Sequence, residues 1–99
     1  MMARQAEAVA DVSKALSDPT RVSILHLLRE EAMDSSGLAC ELGIHQTSVN
    51  YHLSFLLKAG LVCCERDGRR NLYSVLIDGF ILLEEYLEMF IADIAEEEL

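Results

Sequence analysis

Residues 43–60, GIHQTSVNYHLSFLLKAG, decide how the rest of this chain is read. Val49, Leu53, Leu56 and Leu57 recur at helical spacing, which predicts one helix with an apolar stripe turned to a core. Gly60 stands where a left-handed C-terminal cap belongs. The opposite face carries His45, Gln46, Thr47, Ser48, Asn50 and Tyr51, polar side chains crowded into the first two turns. A helix lying in the major groove of DNA needs that layout: its first residues reach base edges while its stripe holds it to the body. An ordinary amphipathic helix with a solvated polar face has the same pattern, so the neighbouring segments decide.

Upstream, Asp34-Ser35-Ser36-Gly37 supplies turn residues and caps for a short helix over 38–42, ended by Gly43. Two helices joined by a tight Gly-containing turn make a helix-turn-helix, at about 35–60, with Leu38, Leu42, Val49 and Leu53 as mutual contacts. Downstream the period changes from helical to alternating. Residues 61–65 and 71–77 read as strands, and the Asp67-Gly68 pair between them is a hairpin signal. Tyr73, Val75 and Ile77 share the face expected to pack on the helices. Arg66, Arg69 and Arg70 cluster at the tip. Such charges can merely guard a sheet edge. Directly after a helix-turn-helix, they are better read as a wing, at about 61–77, that grips the phosphate backbone.

Further out, an alanine-rich helix is expected at about 3–16, with Val9, Val12 and Leu16 near one face. It breaks at Ser17-Asp18-Pro19, where Asp18 is a good N-cap and Pro19 suits the first helical position. In the helix that follows, Ile24, Leu25, Leu27 and Leu28 should face inward and Arg21 and Arg29 outward. A last helix, at about 79–97, sets Phe80, Leu83, Leu87, Phe90 and Ile94 on a heptad-like seam. Ile81, Leu82, Tyr86, Met89 and Ile91 widen that surface beyond what a small body can cover, so a dimer interface is expected there, with a contribution from the first helix.

The net charge of −9 opposes nucleic-acid binding only as a total. Residues 1–42 carry four bases and seven acids, residues 43–77 four bases and two acids, and residues 78–99 eight acids and no base. The one positive block holds the proposed reading helix and wing, and local field governs phosphate contact. Ninety-nine residues suit a single domain, 1–99, in which half the composition is hydrophobic. The expected class is mainly α (α+β). No run is apolar enough to span a bilayer, and the first residues do not read as a signal peptide, so a cytoplasmic protein with reduced thiols is expected.

At this point the sequence resembles a known family. ALSDPTRVSILHLLRE, LACELGIHQTSVNYHLSFLLKAGLV and ERDGRRNLYSVL look like the bacterial and archaeal arsenic-repressor (ArsR/SmtB) type of winged-helix regulator, over about residues 15–76. The resemblance implies a homodimer joined through its terminal helices that binds a palindromic operator in double-stranded DNA. It further implies repression until an inducer arrives. By position, Gln46, Thr47, Ser48, Asn50 and Tyr51 fall on the family's base-reading face and Arg66, Arg69 and Arg70 on its wing. The chain departs from the family in three places. His45 replaces a usual serine cap and is a poorer cap. The arsenic-binding cysteine pair is missing, with only Cys40 near. The last helix has no histidine for an interhelical metal site.

Cys40, Cys63 and Cys64 are the candidates for sensing a soft metal or a thiol oxidant; otherwise they are small apolar fillers. Neighbouring strand cysteines point to opposite faces, so one ion does not easily take both, and the spacing fits no standard zinc signature. No cofactor is expected, and no metal site beyond that open thiol reading. His26 reads as structural, His52 as a support for the reading helix, and His45 as a candidate DNA contact. The acids of the last helix read as a solvated face. Nothing resembles a catalytic constellation, so the chain does not read as an enzyme. The alternative to a DNA-binding regulator is a winged-helix protein-interaction module with little or no DNA binding.

Overall fold

The structure, a computed structural model, describes residues 2–98; Met1 and Leu99, the ends of the expected 1–99 unit, lie outside them. Its elements run α1 (Ala3–Ala15), α2 (Pro19–Glu30), α3 (Ser35–Leu42), α4 (Gln46–Lys58), β1 (Val62–Asp67), β2 (Arg70–Val75) and α5 (Asp78–Glu98). This is a winged helix-turn-helix flanked by terminal helices. Most boundaries fall within about two residues of those expected, as fraying ends allow, but α3 starts three residues earlier than 38, because Asp34 caps it at Ser35.

Each helix start has a local cause. Asp18 Oδ1 accepts from the backbone N–H of Thr20 at 2.8 Å and of Arg21 at 3.4 Å, with Pro19 at the first helical position. Asp34 Oδ1 accepts from Gly37 N–H at 2.8 Å and so caps α3. At the far end of α4, Gly60 adopts φ 70°, Leu61 N–H donates to Leu56 O at 3.0 Å and Gly60 N–H to Leu57 O at 3.1 Å. That pair is a Schellman closure, and its apolar clasp is the buried couple Leu56 and Leu61.

The two capping aspartates give stability a pH dependence. At Asp18, desolvation raises the pKa, but the Thr20 and Arg21 amides outweigh it and hold the carboxyl below its ordinary range. At Asp34 the Gly37 amide dominates and, with Ser36 and Arg70, lowers it against desolvation. Both groups therefore bind a proton more weakly folded than unfolded. Their stabilisation is complete above the ordinary carboxylate pKa and is lost as pH falls through the lowered folded values. The melting midpoint should drop as pH falls below about 4, and the double variant D18N/D34N should drop less over that range, read by circular dichroism.

The core is assembled by α1 to α4 and the start of β1. Val12, Ile24, Leu38, Val49, Leu53, Leu56, Leu61 and Val62 are fully buried. Three sequence expectations need correction here. Leu57 is exposed, because it sits beside the stripe of Val49, Leu53 and Leu56 rather than on it. Val75 and Ile77 are exposed; of their face only Tyr73 packs on the core. Arg21 is buried, at 6% exposure, where an outward arginine was expected.

β1 and β2 pair antiparallel from Val62 opposite Val75 to Asp67 opposite Arg70, leaving Gly68 and Arg69 as a two-residue turn. Gly68 has φ 62° and Arg69 is not left-handed, so glycine is needed at the first turn position only. Met33 adds a one-residue bridge to β2: Tyr73 N–H donates to Met33 O at 2.8 Å and Met33 N–H to Tyr73 O at 3.2 Å. The wing is thereby tied to the segment joining α2 to α3.

α5 joins the body through a close backbone approach. Gly79 is buried, and its N–H donates to Gly60 O at 2.8 Å. A Cβ there would run into the backbone carbonyl oxygen of Ala59, and would lie 2.9 Å from Leu61 Cδ2 and 3.0 Å from Gly60 O. Beyond Tyr86 every residue of α5 is exposed. The chain consequently has a radius of gyration of 15.7 Å, against about 13 Å for a compact domain of this length. No helix among the described residues is long and apolar enough to cross a membrane.

Candidate nucleic-acid interface

His45, Gln46, Thr47, Ser48, Asn50 and Tyr51 are all exposed, on one end of α4. His45 occupies the N-cap without a side-chain cap bond, as its poor capping chemistry leads one to expect. The helix nevertheless begins in place. Gln46 Nε2 donates to Ser35 Oγ at 2.8 Å, which ties the first turn of α4 to the first turn of α3 and leaves the Gln46 amide oxygen free to accept.

The opposite side of α4 is pinned by Arg21. Its Nε donates to Ala15 O and its Nη2 to Lys14 O, both at 2.9 Å, closing the C-terminal end of α1. Its Nη1 lies 3.1 Å from His52 Nδ1. Arginine can only donate, so Nδ1 is the accepting atom of this pair. The guanidinium also stacks on Phe55, 4.4 Å from the ring centroid, and Tyr51 meets Phe55 edge-to-face at 5.0 Å. One buried cation thus joins α1, α2 and α4 and fixes how α4 presents its polar face. His52 supports the helix as expected. Sequence reading named Asp34 and Ser35 only as turn and cap residues and Arg21 only as an outward charge, not as supports of this surface.

The wing arginines are not equivalent. Arg66 Nε donates to Gly68 O at 3.0 Å and its Nη1 to Asn71 Oδ1 at 3.2 Å, which stiffens the turn. Arg70 Nε lies 3.3 Å from Asp34 Oδ2, so the α3 cap also holds the tip end of β2. Arg69, at the tip, forms no hydrogen bond or ion pair with other described residues. It is the charge best placed to act on an external anion.

On α5, Leu83 packs partly on the core, while Phe80, Leu87, Phe90 and Ile94 are exposed. The seam therefore continues off the body into solvent. Cys40, on α3, and Cys64 are exposed; Cys63 is half-buried, with Sγ 3.4 Å from Ser74 Oγ. Cys63 and Cys64 face opposite sides of β1, and among the described residues no three His, Cys, Asp or Glu side chains converge to hold a metal ion.

Fold and surface together define the class: a winged helix-turn-helix protein with an exposed polar face on the second helix of its helix-turn-helix. Residues 18–63 match the bacterial regulatory protein, arsR family. An HTH-type transcriptional regulator of Methanocaldococcus jannaschii is 38% identical over 73 residues, which cover 73% of this chain and 82% of that one. The transcriptional repressor SdpR of Bacillus subtilis is 37% identical over 65 residues, 66% of this chain and 72% of that one. Among solved structures, the homodimeric winged helix-turn-helix DNA-binding domain Mb0332 of Mycobacterium bovis superimposes with a TM-score of 0.70 at 29% identity, covering 100% of this chain and 91% of that one. The chain belongs to the arsR family of transcriptional regulators.

Proposed function

We propose that this protein is a homodimeric, sequence-specific transcriptional repressor of the cytoplasm that binds a palindromic operator, with the whole chain acting as one DNA-binding domain. The observation that carries the reading is the α4 surface: six exposed polar side chains on a helix clamped from behind by Arg21. His45, Gln46, Thr47, Ser48, Asn50 and Tyr51 read base edges, and Arg69, with Arg66 and Arg70 behind it, meets phosphate. Two subunits are needed because the positive block carries so little charge. Surface area supports pairing. The chain exposes 6897 Å², against about 5,700 Å² for a compact monomer of this mass. The excess of roughly 1,200 Å² exceeds the ~800 Å² that each partner gives to a standard interface. Phe80, Leu83, Leu87, Phe90 and Ile94 form that interface. Repression would follow from occupancy of the operator; the Bacillus relative is named a transcriptional repressor.

The test is fluorescence anisotropy on the DNA upstream of the gene. Arg69→Ala should weaken binding to all sequences alike and lower the salt slope by about one unit per subunit. Gln46→Ala and Asn50→Ala should each cost about 1–3 kcal/mol at particular base pairs and relax preference there. Affinity that ignores salt, and ignores all three substitutions, would favour the protein-interaction alternative.

A further inference from the structure

A groove of about 510 Å³ opens between α2, β2 and the start of α5. Its exposed lining on α2, Val22, His26 and Arg29, lies beside the stripe that Arg21 shares with Leu25 and Leu28, and no residue of the proposed DNA-facing surface lines it. Its walls are Leu16, Val22, Leu25, Val75 and Phe80. Val22, Val75 and Phe80 are exposed in the single chain; Phe80 also opens the face proposed for pairing, so Val22 and Val75 are the apolar walls left open to water in a dimer. The polar groups along it are few: His26 and Arg29, one turn apart on α2, and Ser74 on β2, and no carboxylate lines it. Arg29 is exposed and makes no ion pair among the described residues. In a chain of net charge −9, an arginine beside an apolar trough whose lining holds no acid is a local attractor for an anion.

We propose that this groove binds a medium-chain aliphatic carboxylate, with the chain along Val22, Leu25, Val75 and Phe80 and the carboxylate on Arg29. The volume suits it: at about 30 Å³ per water-sized group, it holds roughly fifteen such groups, within the usual range of small-molecule sites. Charge chooses an anion over a neutral lipid, and the aliphatic walls choose a hydrocarbon chain over a sugar or nucleotide. The site touches three elements that matter for DNA: α2 carries Arg21 and so the back of α4, β2 is half of the wing, and Phe80 opens the pairing helix. An occupant that spreads α2 from β2 changes the angle between wing and α4, which makes the carboxylate an effector. That last step rests on the DNA-binding reading above; binding itself does not.

Decanoate is the probe, with decanol as the neutral control, titrated into the full-length protein by calorimetry. Decanoate should bind at a defined site and decanol should bind at least roughly tenfold more weakly, the range a charge-assisted hydrogen bond supplies. Arg29→Gln should erase that difference, and Val22→Phe should block both ligands by filling the trough. Neither position lies on the DNA-facing surface, so operator binding without ligand should survive in both variants. Equal binding of decanol and decanoate, or binding that survives both substitutions, overturns the site. No binding to a protein that native mass spectrometry shows as a dimer also overturns it, and assigns the groove to a second copy of the chain. Decanoate that binds without weakening the DNA complex overturns the effector role alone. Failure of the ligand-free protein to bind DNA overturns the repressor reading instead.

Discussion

Replacing Arg21 with methionine is expected to destabilise the fold by about 3 kcal/mol, because the carbonyls of Lys14 and Ala15 lose a buried donor each and His52 loses its partner. At this chain length that is a fall of roughly 12–24 °C in melting midpoint, compared at equal protein concentration since pairing also stabilises. Lysine should recover little. It offers one compact ammonium, whereas Arg21 directs donors to three acceptors on two helices and lays a flat face on Phe55. DNA affinity measured well below the new midpoint should fall as well, because α4 loses the contact that sets its orientation. A variant melting within a few degrees of the parent would show that the clamp is peripheral.

Gly79→Ala carries the second large effect, and its sign is diagnostic. In an unconstrained helix, alanine in place of glycine stabilises by about 1 kcal/mol. Here the added methyl meets the Ala59 carbonyl, which is backbone at the closed end of α4 and cannot rotate away. Overpacking of that kind costs about 1–3 kcal/mol in response, and α5 must lift off the body to relieve it. A net loss of up to about 2 kcal/mol is expected, seen as a lower midpoint in thermal unfolding and a weaker dimer in sedimentation. An unchanged or raised midpoint would mean that α5 is not seated on α4 in this way.

Much of this architecture is legible in the residues. The Asp-Pro break, the glycines that end α3 and α4, and the switch from helical to alternating period each act within a few residues, and they place every named element. What sequence reading missed depends on distant partners. Arg21 was turned outward on account of its charge, although its spacing to Ile24, Leu25 and Leu28 puts it on the inward stripe; the carbonyls and the Phe55 ring that receive it come from α1 and α4. The Met33 bridge is a single residue and has no period to detect. Val75 and Ile77 alternate correctly with Tyr73, yet both are exposed while Tyr73 packs on the core, so alternation alone does not mark core. The polar face of α4 was readable because exposure follows from helical spacing alone. The separate stations of Arg66, Arg69 and Arg70 were not, since they depend on Asn71, Gly68 and Asp34 at bonding distance.

The central claim is that paired subunits set their α4 helices into successive major grooves. Methylation interference on the upstream DNA tests it most directly, because a methyl on guanine N7 blocks the major groove alone. The account predicts two clusters of interfering guanines, related by symmetry and centred about 10 base pairs or a multiple of that apart. A single cluster, or retained binding with every guanine N7 methylated in both half-sites, would contradict it.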